Sequence, residues 1–435
     1  AGCSSGSGGG PARAKVGATD DARIGAAPKQ LRIAQVTHFV PDFDVWFDNE
    51  YTRAWGERNG VQVIVDHITV EELPARAAAE ASIRQGHDLF AFISPPAAFE
   101  DDAVDLRDVV EEVEAKVGKP IPLAERSGFN PKTKKWFAFP DHCSPLVVSY
   151  RLDFWKGLGK NGQPDSWADL LTAGPKLKAA GHPLGIDMSQ DLDGNLNLIA
   201  LLLAYGAALQ TADGVPALNS PATVEAVKAA SALSSASQTP DTLTWNDASA
   251  NNRHLTGGKG SLILNPVSAL RAVEKQDPAM AGNIGLAPPM AGPAARLAPS
   301  FQSLYVLWSF AKNQETAKRF LIDLALASRD AFLHSEFYNF PSFPGAVPDL
   351  ADLVANAPAV PAAKYALLAH APEWTTNLGH PGPTNAAVEE VYNKYVIPKM
   401  VAAVARGEQK AEAAVAAAGA ELTSIYDKWR ERGKI

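Results

Sequence analysis

Covalent chemistry leaves little trace in the residue types and spacings of this chain. A Gly-x-Ser-x-Gly elbow between strand and helix, a His-Glu-x-x-His zinc helix and a nucleotide phosphate loop are all missing. Gly257-Gly258-Lys259-Gly260 puts glycines beside a lysine, but without the phosphate-loop spacing, and a strand pattern rather than a helix follows. The 9 histidines never fall at ligand spacing on one helix, so no metal site is expected. Glycoside hydrolysis needs two positioned carboxylates, and among 48 acidic residues some pair can always be drawn, so the count supports nothing. What remains is non-covalent recognition by polar and flat apolar side chains in loops.

Open α/β sheets hold ligands beyond the carboxyl ends of their strands. The strand pattern Leu31 to Val36 runs into Thr37-His38-Phe39-Val40-Pro41-Asp42, which makes His38 a polar contact and Phe39 a platform. The competing place for Phe39 is the core. Ser94 follows a third strand and can donate a hydrogen bond, although Pro95-Pro96 beside it also reads as a plain turn. Asp193-Gly194-Asn195 stands before an apolar helix, where Asp193 and Asn195 are either site residues or its cap. Trp245-Asn246-Asp247 carries a tryptophan with no periodic apolar face to explain it. Tyr338, Trp374 and His380 lie in irregular stretches late in the chain, where aromatics serve ligands more often than on helices. Trp55, Trp167 and Trp429 are packing residues by their patterns.

The elements that must position these residues alternate. Strand patterns at Leu31–Val36, Val61–Val65 and Asp88–Phe92 are separated by a helix carrying Phe47, Tyr51 and Trp55 and by an Ala-rich helix ending near Gln85. That alternation predicts an α/β fold with a parallel or mixed sheet. A second series follows: a strand at Leu146–Tyr150, a helix capped by Ser166, an apolar helix Leu196–Tyr205, and a helix opened by Ser220-Pro221. Strands at Ser261–Leu264 and Leu304–Phe310 and helices over Asn385–Ala405 and Glu408–Arg432 complete it. At 435 residues, two domains are the default. An apolar share of 46% and a charged share of 20% are those of a folded globular chain. The net charge of −8, with no basic block, argues against nucleic acid as a partner. Two cysteines, Cys3 and Cys143, exclude a disulfide framework, and Cys143 reads as a small buried residue.

Ala1-Gly2-Cys3 before a run of Ser and Gly resembles the cleavage triplet of a bacterial lipoprotein, which implies lipidation of Cys3 and a flexible tether over residues 1–28. Further phrases appear in fixed order. These are Lys135-Trp136-Phe137-Ala138-Phe139-Pro140-Asp141, Pro164-Asp165-Ser166-Trp167, Leu218-Asn219-Ser220-Pro221, Gly257 to Leu262, and Val391-Tyr392-Asn393-Lys394-Tyr395-Val396-Ile397-Pro398. Together they resemble the extracellular solute-binding proteins of bacterial ABC importers, specifically the carbohydrate-binding group.

The resemblance implies a two-lobe periplasmic-binding-protein-like fold with three interlobe crossings and a ligand cleft between the lobes. Lobe 1 would be 29–143 plus 299–328, and lobe 2 would be 144–298 plus 329–435. It implies a monomeric receptor, without cofactor or catalysis, that captures a carbohydrate and delivers it to a membrane permease. Its only membrane contact would be the lipid on Cys3. A sugar presents hydroxyl edges and weakly apolar faces, so aromatic platforms with Asp, Asn, Gln and His suit it. The first crossing would place Asp141 and His142 at the cleft, with a hinge salt bridge as the competing role for Asp141. The second would place Gln302 and Ser303 there, and Asn265 would end a cleft-lining strand. One firm acid and no arginine cluster suit a neutral polyol over a polyamine or a phosphate ester.

Overall fold

The computed structural model describes residues 29–245, 247 and 249–435. Cys3 and its tether lie outside the described residues, as does Asn246. Nine strands build the two main sheets: β1 (Lys29–Val36), β2 (Val61–Ile68), β3 (Leu89–Phe92), β4 (Phe139–Ser144), β5 (Val147–Arg151), β6 (Leu262–Asn265), β7 (Ile284–Ala287), β8 (Phe301–Leu307) and β9 (Phe340–Pro341). A six-stranded sheet has the order β9-β4-β8-β3-β1-β2, and a three-stranded sheet has the order β6-β5-β7. β1 pairs in parallel with β2 and β3, while β8 runs antiparallel to both β3 and β4. The chain leaves the large sheet between Ser144 and Val147 and returns to it by Phe301. The two sheets are the centres of the two lobes.

Period-two alternation explains why each sheet is covered on both faces. Leu89 and Ala91 of β3, with Tyr305 and Leu307 of β8, enter one apolar cluster, while Phe90, Phe92, Leu304 and Val306 enter another. That second cluster also takes Val148, Tyr150, Leu262 and Leu264 from the small sheet, so one apolar layer continues from lobe to lobe.

Local signals acted where the sequence placed them. Ser166 Oγ accepts from the Asp169 amide (3.1 Å) and Asp169 Oδ2 accepts from the Ser166 amide (3.0 Å), a closed capping box opening the helix Trp167–Ala179. Ser220 Oγ caps Pro221–Ser237 through the Thr223 amide, 3.2 Å away. Gly60, at φ 64°, ends the helix Thr52–Asn59, as its freedom at positive φ allows. Trp55, Trp155 and Trp167 are all buried, and Trp429 is nearly so.

Two expectations shift. The helix expected over Asn385–Ala405 is two, Ala386–Asn393 and Val396–Ala405, broken at Tyr395 with φ 54°. The apolar helix begins at Leu192 rather than Leu196, so Asp193 and Asn195 lie inside its first turns and Asp191 is the cap, accepting from the Gly194 amide at 2.7 Å. Among the described residues, no helix is long and apolar enough to cross a membrane.

Candidate functional site

The carboxyl ends of β1, β3 and β4 and the start of β8 meet in one recess of about 60 Å³. At ~10–15 Å³ for each water-sized group, that is room for roughly four to six of them, the edge of one small ring. Of the residues singled out in the sequence, His38, Phe39, Asp141, His142, Gln302, Ser303 and Tyr338 line it. Gln35, Ser144, Phe301 and Tyr305 line it too and were missed. Phe301 stands beside Gln302, and Gln35 is the penultimate residue of β1, so the strand-end logic reached within a residue or two of both.

Register explains the convergence. β8 pairs Gln302 with Cys143 and Ser303 with His142, so the polar ends of two antiparallel strands share one edge. The His38 ring is held at both nitrogens. Nδ1 lies 2.9 Å from the Val40 amide nitrogen and 3.0 Å from the Val40 carbonyl oxygen, and Nε2 lies 2.9 Å from Asn339 Oδ1. Burial pushes the His38 pKa down to about 4, so the ring is neutral near pH 7. Tyr338 meets the His38 ring edge-on at 5.0 Å. Phe39 is half-buried, with its ring 6.5 Å from Phe301 and 6.1 Å from Tyr338. It therefore belongs to an aromatic wall rather than to the interior of a core cluster. Asp141 Oδ2 lies 2.7 Å from His142 Nδ1, so its partner is the neighbouring ring and not a distant hinge cation. Gln302 Nε2, Ser144 Oγ and Asn339 Nδ2 are buried without a protein partner. Of these, Gln302 and Ser144 belong to residues that line the recess.

A second polar group belongs to the small-sheet lobe. Asp193, Asn195 and Asn265 are each less than 5% exposed. Asp193 Oδ2 accepts from Asn251 Nδ2 at 2.6 Å, and Asn265 Nδ2 donates to Asn252 Oδ1 at 2.6 Å and Asn251 Oδ1 at 3.3 Å. Burial first, and the Asp191 charge second, hold the Asp193 carboxyl well above the ordinary range. Burial also raises the Tyr338 hydroxyl, and the Asp193 charge adds to that rise.

The other candidates do not reach the recess. Ser94 is half-buried beside Ile93, which does line it. Trp245 is half-exposed, with Nε1 donating to Asp241 Oδ2 at 2.9 Å. Trp374, expected as a platform, packs in a core cluster at 4% exposure and donates to the Leu146 carbonyl at 3.1 Å. His380 Nδ1 sits 2.9 Å from Thr376 Oγ1, near the short pairing of Thr375–Thr376 with Ala298–Pro299. Cys143 is buried, which pushes its thiol up to about 12 and makes it inert.

Two sheets with a lined recess at the strand ends of one define a two-lobe α/β binding fold. The chain belongs to the bacterial extracellular solute-binding proteins, whose family model matches residues 45–327. The fold is similar to that of a sugar transporter from Arthrobacter chlorophenolicus with bound laminaribiose, at 17% identity and a TM-score of 0.77, covering 91% of this chain and 99% of the other. Maltose-bound MalE3 of T. maritima aligns at 18% identity with a TM-score of 0.75, over 91% and 99% of the two chains. The GacH receptor of Streptomyces glaucescens, solved unliganded and with acarbose, aligns at 17% identity with a TM-score of 0.73, over 92% and 99%. At these identities the likeness is one of fold. No curated protein sequence matches the chain.

Proposed function

We propose that this chain is an extracytoplasmic receptor that captures a sugar, a single ring or a short chain of them, and delivers it to the permease of an ABC importer. The observation that carries the reading is the recess, where aromatic walls of Phe39, Phe301 and Tyr338 face polar groups of His38, Asp141 and Gln302. A ring stacks on the first set and its hydroxyls hydrogen-bond to the second. Family membership and the ligands named for the similar structures support it. Nothing in the reading requires a covalent step, so the chain binds and does not catalyse.

The lobes are proposed as 29–143 with 299–328, and 144–298 with 329–435. The two separate sheets support this division, with β9 lying across it on the edge of β4. The receptor works as a monomer held to the cell membrane by a lipid on Cys3, a part of the proposal that rests on the Ala1-Gly2-Cys3 triplet. A thermal-shift screen of mono- and oligosaccharides tests the function. Ligand at a hundred times its dissociation constant adds about 2.7 kcal/mol to the folded state. At least one sugar should raise the melting temperature and give a saturable heat by titration calorimetry. A panel that leaves the melting temperature unmoved at millimolar concentration would overturn the reading.

A further inference from the structure

A second cavity, of about 350 Å³, lies across β4 from the recess. Cys143 lines it, while His142 and Ser144 on either side line the recess, as the alternation of a strand dictates. The two cavities have no lining residue in common. Walls come from the helices Pro122–Gly128 and Leu350–Ala355, from β9 and from residues 371–376. Leu123, Phe340, Val347 and Ala371 are among its lining and are themselves buried. Close-packed interiors leave few voids larger than a water molecule, so a space of this size calls for an occupant.

The lining offers little to a sugar. Thr375 Oγ1 donates to the Ala371 carbonyl at 2.7 Å, and Thr376 Oγ1 is 2.9 Å from His380 Nδ1, so both hydroxyls are engaged. Sugar hydroxyls placed here would lose water and gain few partners. One charged residue lines the cavity, Arg126, and among the described residues no carboxylate lines it to neutralise that charge. The main chain there is fixed, the Arg126 carbonyl accepting from the Thr384 amide at 2.8 Å. The Arg126 side chain is exposed, which puts the guanidinium at the rim. Its paired donors match the two oxygens of a carboxylate. Volume sets the apolar part. A cavity of ~150 Å³ holds a benzene ring, so about 350 Å³ takes roughly ten to fourteen carbons.

We propose that this cavity is a second ligand site, which takes a medium-chain apolar acid with its hydrocarbon body between Leu123, Phe340 and Val347 and its carboxylate on Arg126. An enclosed, mostly apolar space with one placed charge is the usual form of a small-molecule site, and ~300–1,000 Å³ is its usual size. Removing the hydrocarbon from water supplies the affinity, and the guanidinium selects an acid over a neutral or cationic chain of equal length. The site stands or falls separately from the sugar reading.

Decanoate, decan-1-ol and decylamine, each titrated calorimetrically into the full chain at pH 7 below its aggregation threshold, test this. Decanoate should bind saturably, one per chain, and about three- to fivefold more tightly than the alcohol, as befits a guanidinium at the rim. Decylamine should bind more weakly than either. Arg126→Gln should bring decanoate to the level of the alcohol. Ala351→Trp, which fills the cavity from its rim, should remove all three. Both substitutions fall on exposed residues and leave the core intact. Absent or non-saturable heat with decanoate would overturn the inference, as would equal affinity for acid and alcohol. Binding that survives Ala351→Trp would place the chain elsewhere and overturn it too. A dimer in sedimentation that Ala351→Trp dissociates would give the cavity to a second copy instead.

Discussion

Glu389 ties the helix Ala386–Asn393 to the segment after β3 with a carboxyl that burial keeps protonated, and Glu389→Gln measures what that joint is worth. The residue lies in the helix Ala386–Asn393, is 5% exposed, and accepts from the Ala98 amide of the loop after β3 at 2.5 Å. Burial, helped by the charge of Glu390, lifts its pKa from 4.5 to about 8, with the Ala98 hydrogen bond opposing. The folded chain then keeps a proton that the unfolded chain has released throughout the interval between those two values. Stability from this group is therefore complete below pH 4.5 and falls by about 1.4 kcal/mol per unit as pH rises. Above pH 8 the loss levels off, at roughly 3–6 kcal/mol in total. Glutamine retains an acceptor for Ala98 and cannot ionise, so the variant lacks this slope. Urea unfolding followed by tryptophan fluorescence, at half-unit steps from pH 4.5 to 8.5, gives the difference between the two proteins with all other titrations cancelled. The difference should be small near pH 4.5 and grow in favour of Glu389→Gln up to about pH 8. A difference that stays flat over that interval refutes the reasoning, because Glu389 would then ionise in the folded protein as it does in the unfolded chain.

Trp374→Ala should lower stability by about 3–5 kcal/mol, as for a core aromatic, while saccharide affinity in the folded fraction changes less than about twofold. Thermal melts beside calorimetry check this, and lost affinity at an unchanged melting temperature would return Trp374 to the site. Phe39→Ala should weaken saccharide binding by about 1–3 kcal/mol with little change in melting temperature. Unaltered affinity would remove it from the aromatic wall. Ser166→Ala opens the capping box and should cost about 1 kcal/mol, whereas Ser166→Asp should restore most of it. Expressed with a native signal, the wild type should fractionate with membranes and Cys3→Ala should not, and equal release of both forms would discard the lipid anchor.

The elements legible in the sequence were those defined by local chemistry. Ser166 and Ser220 announced helix starts because a capping hydroxyl acts within three residues, and Gly60 announced a stop for the same reason. The strands β1 and β3 were legible through short apolar runs bounded by turns. Tyr395 was not, because its φ of 54° interrupts an apolar helical pattern that reads straight through it. Within the site, seven residues were reached through strand ends and the crossing segments that the family resemblance implied. Ser144 and Tyr305 were missed because nothing local marks them. Their place follows from antiparallel register between β4 and β8. Trp374 was misjudged for the converse reason. Its sequence neighbourhood is irregular, while its packing partners come from remote segments.

The burial of the polar group near Asp193 follows from the helix that carries it. Reading Leu196–Tyr205 as strongly apolar already implied a helix buried on all sides, since a helix without a polar face has no surface to show water. All 13 residues from Leu192 to Ala204 are indeed buried. Any polar side chain on the first turns of such a helix has no route to solvent, and a buried carboxylate needs a donor or a compensating charge. Asp193, Asn195 and Asn197 therefore had to be satisfied from inside the protein or by something bound to it. Within the protein, Asp193 accepts from Asn251, while Asn195 and Asn197 donate to the Tyr392 and Asp187 carbonyls.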